Sequence, residues 1–251
     1  MVSLLTLCDG TRDLSGLKAA LQLRTGQSLS LSELRSWVEQ MDASMLLEGG
    51  SYQRASDRLL KEYREAGYRT PAQAGLVYPA DPDELRATLR RYWGEASVQE
   101  SIEPPVGTLS GIVCPHIDYA RGHETYAQVW RRAAPALEDV ELVVMLGTDH
   151  SGSPGALTLT LQDYATPLGV LPTDRDVVNE LAEVLTPEAA FAEEVHHVRE
   201  HSIELASVWL QYSMNGRSCP VVPVLCGSFQ RFVAGDGDPG DSQAITAVSS
   251  C

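Results

Sequence analysis

The histidines of this chain are the residues whose type and spacing could do chemistry. All six lie between residues 116 and 201. Two of them, His116 and His150, each follow an apolar run that predicts a strand, G-I-V-C-P and E-L-V-V-M-L-G. Ligand clefts of α/β proteins open at strand ends, and imidazole is a common ligand of iron, copper and zinc. The pair predicts a metal site at one edge of a sheet, and the alternative is a pair of loop histidines facing solvent.

Carboxylates beside these histidines add to the predicted site. Asp118 and Asp149 lie close enough in sequence to accept hydrogen bonds from the ligand imidazoles and fix their orientation. His201 stands between Glu200 and Glu204, in the first turn of a predicted helix. A neighbouring carboxylate stabilises an imidazolium, which makes this histidine a candidate general acid or base. The alternative is an ordinary helix start with acidic residues at the positive end of its dipole.

Composition and motifs exclude several classes of protein. The chain has 251 residues, and its 19 basic and 34 acidic side chains give a formal net charge of −15, which argues against a nucleic-acid partner. No run of about 18 apolar residues is present, and the start lacks a signal peptide's basic flank. Five cysteines without a C-x-x-C pair favour reduced thiols. We therefore expect a cytoplasmic protein with no membrane partner.

The local patterns change along the chain and predict three segments. Short helical patterns fill residues 1–55, and further helices follow over residues 56–106. A polar stretch with two prolines puts the main boundary between Gly94 and Gly107. Over residues 107–251, strand-like runs alternate with helical patterns, which is typical of an α/β layer structure.

Individual elements of the third segment can be predicted as well. Strands are expected at T-L-S-G-I-V-C-P, E-L-V-V-M-L-G, A-L-T-L-T-L-Q and C-P-V-V-P-V-L-C-G, and the last apolar run, A-I-T-A-V, is expected to begin another strand. Thr173 is the predicted N-cap of the helix D-R-D-V-V-N-E-L-A-E-V-L. In the segment before, Asp83 is the predicted N-cap of the helix E-L-R-A-T-L-R-R-Y-W.

Six motifs follow one another in a fixed order. They are A-G-L-V-Y-P at 74–79, G-I-V-C-P-H-I-D-Y at 111–119, V-V-M-L-G-T-D-H at 143–150, T-P-L-G at 166–169, E-H-S-I-E at 200–204 and V-P-V-L-C-G at 222–227. In this order they resemble the MEMO family, whose prokaryotic members include AmmeMemoRadiSam system protein B. The resemblance implies a fold similar to class III extradiol dioxygenases, a central mixed sheet flanked by helices, with a non-haem iron or copper ion.

The resemblance also implies roles for individual residues. His116 and His150 match the family's metal-site histidines, and His201 and Glu204 match the E-H-S-x-E motif of the same cleft, which we assign as catalytic. Asp118 stands where many members have glycine, so an acid lies beside the metal. The family continues with a Ser-Ser-Asp strand, a following histidine and a later cysteine, so the C-terminal part of the α/β domain is expected to be missing after Cys251.

The first segment has a resemblance of its own. Residues 4–17, L-L-T-L-C-D-G-T-R-D-L-S-G-L, and M-L-L-E at 45–48 resemble the PqqD-like winged-helix domain, which binds precursor peptides beside radical-SAM enzymes. Two functional hypotheses stay open. One is a metal-dependent oxidoreductase of unknown substrate in which His201 moves protons. The other is a noncatalytic accessory protein that binds a small molecule, a peptide or a radical-SAM partner.

Overall fold

The computed structural model describes residues 2–96 and 109–249. The chain forms two compact units, Met1–Glu62 and Tyr63–Cys251. Most of the boundary predicted between Gly94 and Gly107 lies outside the described residues, and the division at residues 55 and 106 stays a prediction. No helix in the described part of the chain is long and apolar enough to cross a membrane. The cytoplasmic location stays a prediction.

Helices outnumber strands in the described residues. The helices are α1 (Val2–Leu5), α2 (Leu14–Thr25), α3 (Leu31–Ala43), α4 (Gly50–Glu65), α5 (Pro82–Glu95), α6 (Tyr119–Ala133), α7 (Arg175–Leu185), α8 (Pro187–Ala190), α9 (Ser202–Ser213), α10 (Gln230–Val233) and α11 (Gln243–Ser249). The strands are β1 (Tyr68–Arg69), β2 (Val143–Thr148), β3 (Leu157–Leu159), β4 (Asp163–Thr166), β5 (Gly169–Leu171) and β6 (Val221–Cys226). Three short 3₁₀ helices cover Ala136–Asp139, Glu194–Val198 and Pro239–Asp241.

The first unit is a small helical bundle with its own core. Ser30 and Glu33 form a reciprocal capping box at the start of α3, so two backbone N–H groups of the first turn have partners. The buried apolar residues are Leu4, Leu7, Leu17, Leu21, Leu34 and Met41. No strand occurs between residues 2 and 62. Only a few residues separate the end of α3 from the start of α4, so this connection forms a loop.

The second unit is a mixed α/β structure, as the sequence predicts, but its strands form two small sheets. In the first sheet β1 runs parallel to β4, and β4 pairs antiparallel with β5. In the second, β6 lies between β2, its parallel partner, and β3, its antiparallel partner. Residues Val221–Leu225 of β6 are buried, which explains the continuous apolar run at this position. The single central sheet expected from the sequence is thus divided.

Helix α9 lies at the centre of the second unit. Most of its residues are buried, including Ile203, Val208 and Trp209. Its aromatic residue Trp209 stacks on Tyr126 of α6, with ring centroids 6.0 Å apart. A helix that is apolar around most of its circumference must be covered on several sides. This central position brings the first turn of α9 to the end of β2.

Two predicted strands are wrong. The structure assigns no strand to residues 109–118, and Val113 is 93% exposed. An apolar run becomes a strand only where a neighbouring strand offers backbone partners, and the described part of this run pairs with none. The A-I-T-A-V run lies in helix α11, where Ala244 and Val248 pack against the core near α7. In a helix its backbone hydrogen bonds need no neighbouring strand.

Two helices begin at a different residue from the one predicted. The Asp81 carboxylate, instead of Asp83, accepts the first backbone N–H groups of α5, because Pro82 occupies the first helical position. At α7 the cap is Asp174, whose carboxylate accepts the N–H of Val177. The predicted cap Thr173 donates its hydroxyl to a backbone carbonyl outside the helix.

Candidate metal centre

Three histidines from distant parts of the sequence meet in the second unit. The ring centroids lie 5.3 Å apart for His116 and His150, 5.7 Å for His116 and His201, and 4.8 Å for His150 and His201. One ring nitrogen of each lies within 4.8 Å of the others. All three rings are partly exposed. The cluster, which we call the three-histidine cluster, could therefore hold one metal ion within reach of solvent.

Glu200 connects two members of this cluster. Its carboxylate lies 3.0 Å from Nδ1 of His150 and 3.0 Å from Nδ1 of His201. The His150 contact is a hydrogen bond, and because a carboxylate can only accept it, Nδ1 of His150 carries the hydrogen and its Nε2 presents a lone pair. This is the tautomer that a metal ion requires when it binds through Nε2. Glu200 also accepts the backbone N–H of His201 at 2.7 Å. Sequence reasoning did not assign this role to Glu200, because no pattern indicates contact with a residue 50 positions earlier.

The local backbone explains why the parts of the cluster meet. His150 is the second residue after β2, and His201 precedes the first residue of α9. The Ser202 hydroxyl donates to the Thr148 carbonyl at 2.9 Å, which joins the start of α9 to the end of β2. Gly147 permits this approach, since a Cβ at that position would lie 2.5 Å from a carbon of Ile203. His116 lies in the loop before α6 rather than after a strand.

The surroundings of the cluster lower the pKa of the Glu200 carboxyl and of the His116 ring. Burial of Glu200 opposes its charge, but hydrogen bonds from the His150 ring and from three backbone N–H groups outweigh burial and lower its pKa to about 2. Burial of His116, together with repulsion from His150 and His201, lowers the pKa of the His116 ring. Neutral imidazole is the form that binds metals.

The two aspartates predicted to support the ligands have other described partners. The Asp118 carboxylate caps α6 by accepting the N–H of Arg121, and it also forms an ion pair with the Arg121 side chain. Asp149 accepts a hydrogen bond from Nδ1 of His196 at 2.9 Å and another from the backbone of Ser151. Neither described set of contacts includes the three-histidine cluster, so their role as supports for its ligands stays a prediction.

Glu204 lies in a buried network on the other side of α9's first turn. It is fully buried, forms an ion pair with Arg69, and accepts hydrogen bonds from the Tyr78 hydroxyl and from the backbone of Ala72 and Gln73. A buried ion pair is tolerated only when its remaining hydrogen-bonding positions are satisfied, as they are here. These contacts assign Glu204 a position in the core, and its catalytic role stays a prediction.

Arg69 connects this buried network to the histidine cluster. Its guanidinium donates to the backbone carbonyls of His197 and Glu200, at 2.7 and 2.8 Å. The segment that carries Glu200 and His201 is therefore held by a buried, permanently charged side chain. No local pattern indicates this role, because Arg69 lies about 130 positions from the carbonyls it binds.

Comparison with known proteins gives a consistent result. A family model described as "Memo-like protein" matches residues 69–235, which include the whole cluster, Glu200 and Arg69. Similar relatives are MEMO1 family proteins of Aquifex aeolicus (31% identical over 216 residues), Methanopyrus kandleri (36% over 163) and Methanosarcina barkeri (31% over 159).

The matched region is a larger share of this chain than of its relatives. They cover 84%, 62% and 63% of this chain, respectively, but 54%, 55% and 54% of the three relatives. The chain therefore spans about half the length of the relatives it matches.

Proposed function

Because this chain belongs to the Memo-like protein family, we propose that it is a metal-binding protein whose ion, iron or copper, is held by His116, His150 and His201. The observation that carries this proposal is the convergence of three imidazoles whose ring nitrogens lie within 4.8 Å of one another. Ligands of one ion at about 2.1 Å lie no more than about 4.2 Å apart, so only a small adjustment is needed.

The donor set fits such an ion. Imidazole nitrogens suit iron, copper and zinc, and the hydrogen bond from Nδ1 of His150 to Glu200 leaves Nε2 of His150 free to bind. Bound iron or copper would supply one-electron redox chemistry. The Glu200 carboxylate orients the His150 ring, and the partly exposed rings leave the cluster open to solvent.

His201 has two possible roles in this proposal. It is either the third ligand, or the proton-transferring residue next to an ion held by His116 and His150. The short distance between the His150 and His201 rings, 4.8 Å, favours the ligand role. Its position beside Glu200 favours it as well, because Nδ1 of both rings lies 3.0 Å from that carboxylate.

The finer parts of the proposal follow from the sequence resemblance. We propose an oxidoreductase of the AmmeMemoRadiSam system protein B type, with a class III extradiol dioxygenase-like domain and an unidentified substrate. Support comes from the family membership and from the redox-capable donor set. Fold and family alone do not identify a reaction.

The test is the metal content of anaerobically purified protein, measured by mass spectrometry. Wild type is expected to carry iron or copper near one equivalent, and the double variant His116→Ala/His150→Ala is expected to lose it. His123→Ala is the matched control, because this ring stacks on Tyr92 instead of joining the cluster. No metal in the wild type, or equal loss in the control, would reject the site.

A second candidate function is the noncatalytic accessory protein, which has a PqqD-like first unit that binds a peptide or a radical-SAM partner. The exposed apolar side chains of that unit favour it, notably Leu23, which is 89% exposed, and Trp37. Recovery of a radical-SAM partner is expected to fall with Leu23→Glu and to persist with the control Lys18→Glu. Equal recovery with both variants argues against this function.

A further inference from the structure

A second group of metal-binding side chains lies on the other side of the turn that carries His150. We propose that Asp149, Glu193 and His196 form a divalent-cation site of mixed nitrogen and oxygen ligands, separate from the three-histidine cluster. One ligand atom of each residue lies within 4.8 Å of the others. This inference goes beyond the proposed function and does not depend on it.

The backbone explains how the three side chains come together. Asp149 and His150 are consecutive residues after β2, and their side chains contact different partners, His196 and Glu200. Glu193 and His196 are three positions apart, and the His196 N–H donates to the Glu193 carbonyl at 2.8 Å. In a 3₁₀ turn such residues lie above one another. The two groups therefore share a chain segment but no ligand.

The loop after Asp149 orients both carboxylates. Asp149 accepts the Ser151 N–H at 3.0 Å, and Glu193 accepts the Ser153 N–H at 3.0 Å together with the Ser153 hydroxyl. Gly152 packs closely against the Asp149 side chain, and a Cβ at position 152 would lie only 2.7 Å from the carboxylate. A carboxylate has about four acceptor positions, so each retains positions for an ion.

The charges of the group favour a cation. The Asp149 side chain is 1% exposed, and its ion-pair partner among the described residues is His196, which is charged only when protonated. Two carboxylates held this close repel each other, and a buried carboxylate without a full positive charge beside it is costly. Arg64, which lies in the same unit, pairs with Glu194 instead.

The ligand types indicate which ion would bind. Carboxylates suit Mn²⁺, while a set of three imidazoles suits iron, copper or zinc. An ion between Nδ1 of His196 and the Asp149 carboxylate takes the place of the shared proton, and the neutral ring then carries its hydrogen on Nε2. Glu193 and His196 are partly exposed, which leaves a route for the ion from solvent.

The test is Mn²⁺ binding by the full chain, measured from the electron paramagnetic resonance signal of free Mn²⁺. We expect one bound ion in wild type and at least tenfold weaker binding in Glu193→Gln and in Asp149→Asn. The matched control is Glu183→Gln, an exposed acid of α7. Binding that the control weakens equally, or that neither variant weakens, overturns the proposal.

Two further measurements keep the result specific. His116→Ala/His150→Ala should retain Mn²⁺ while losing iron or copper, so failure of one site is distinguishable from failure of the other. Circular dichroism checks the fold of Asp149→Asn, whose carboxylate is buried; if that variant unfolds, the partly exposed Glu193→Gln decides alone. Wild type that binds no Mn²⁺ also overturns the proposal.

Discussion

Glu200 holds the His150 ring and the backbone at His201 through one carboxylate. Replacing it by glutamine keeps its size but removes the negative charge that accepts the Nδ1 hydrogen of His150. Loss of a carboxylate that supports ligand histidines typically weakens metal affinity 10- to 100-fold. We expect Glu200→Gln to weaken iron or copper binding by about this factor, measured by competition with a chelator of known affinity.

The matched control for Glu200 is Glu180→Gln, an exposed acid of α7. Metal affinity is expected to stay at the wild-type value in this control. If Glu200→Gln binds metal as tightly as wild type, the carboxylate does not orient the ligands and the hydrogen bonds seen here are incidental to binding.

His197 predicts how stability depends on pH. The ring is fully buried, Nε2 donates to the Thr158 carbonyl, and Nδ1 accepts from the Tyr164 hydroxyl, so both nitrogens are satisfied in the neutral form. Burial lowers the pKa of His197 to about 3, from the ordinary histidine value of 6.5 that the unfolded chain retains. The unfolded chain therefore takes up this proton first, and stability is lost as the pH falls from about 6.5 towards 3.

The corresponding measurement is urea unfolding at pH 7 and pH 5. The His197 contribution to the loss of stability over this interval is about 2 kcal/mol. His197→Gln, which does not titrate, should unfold more easily at pH 7 but show a pH dependence smaller by that amount. An unchanged pH dependence in the variant would contradict a neutral, buried His197.

The candidate site shows what sequence can reveal at the level of residues. His116, His150 and His201 stand out by type and by position in quoted motifs, and the structure brings them together. Glu200 and Arg69 were not assigned, because their roles depend on contacts across 50 and about 130 positions. Such contacts are set by tertiary packing, and no local pattern encodes them.

At the level of elements, two aspartates at the start of α5, Asp81 and Asp83, have different roles. Asp81 accepts two backbone N–H groups, whereas Asp83 lies in the first turn and only complements the helix dipole. We expect Asp81→Ala to cost about 1 kcal/mol in the free energy of unfolding and Asp83→Ala about 0.5 kcal/mol or less. Urea unfolding of both variants measures the difference, and equal costs would show that the Asp81 cap contributes no more than an acid in the first turn.

The sequence patterns predicted β2, β6 and α9 correctly, but they did not predict the conformation of residues 109–115 or of the A-I-T-A-V run. The runs that became β6 and α9 are mostly buried, and β2 pairs with β6 along its whole length. Residues 109–115 and the A-I-T-A-V run are apolar too, but their conformation depends on which neighbours are available. One lacks a strand partner among the described residues, and the other packs as a helix near α7.

At the level of the whole molecule, the candidate ligands found in the described residues lie in one unit. All six histidines belong to Tyr63–Cys251, as do both groups of candidate ligands. The first unit, Met1–Glu62, has an apolar core of its own. The family match also begins in the second unit, at residue 69. A ligand-dependent change in stability should therefore be local to the second unit.

Zn²⁺, a redox-inert ion that imidazoles accept, tests this localisation. An ion that binds only the folded state at 100 times its dissociation constant stabilises the cooperative unit around it by about 2.7 kcal/mol. Hydrogen exchange followed by mass spectrometry should slow in peptides from β2, β6 and α9 and stay unchanged in α2 and α3. In His116→Ala/His150→Ala, Zn²⁺ should slow hydrogen exchange less, because two of the three histidine ligands are removed. Equal slowing in both units would mean that Zn²⁺ acts on the chain as a whole and not through this cluster.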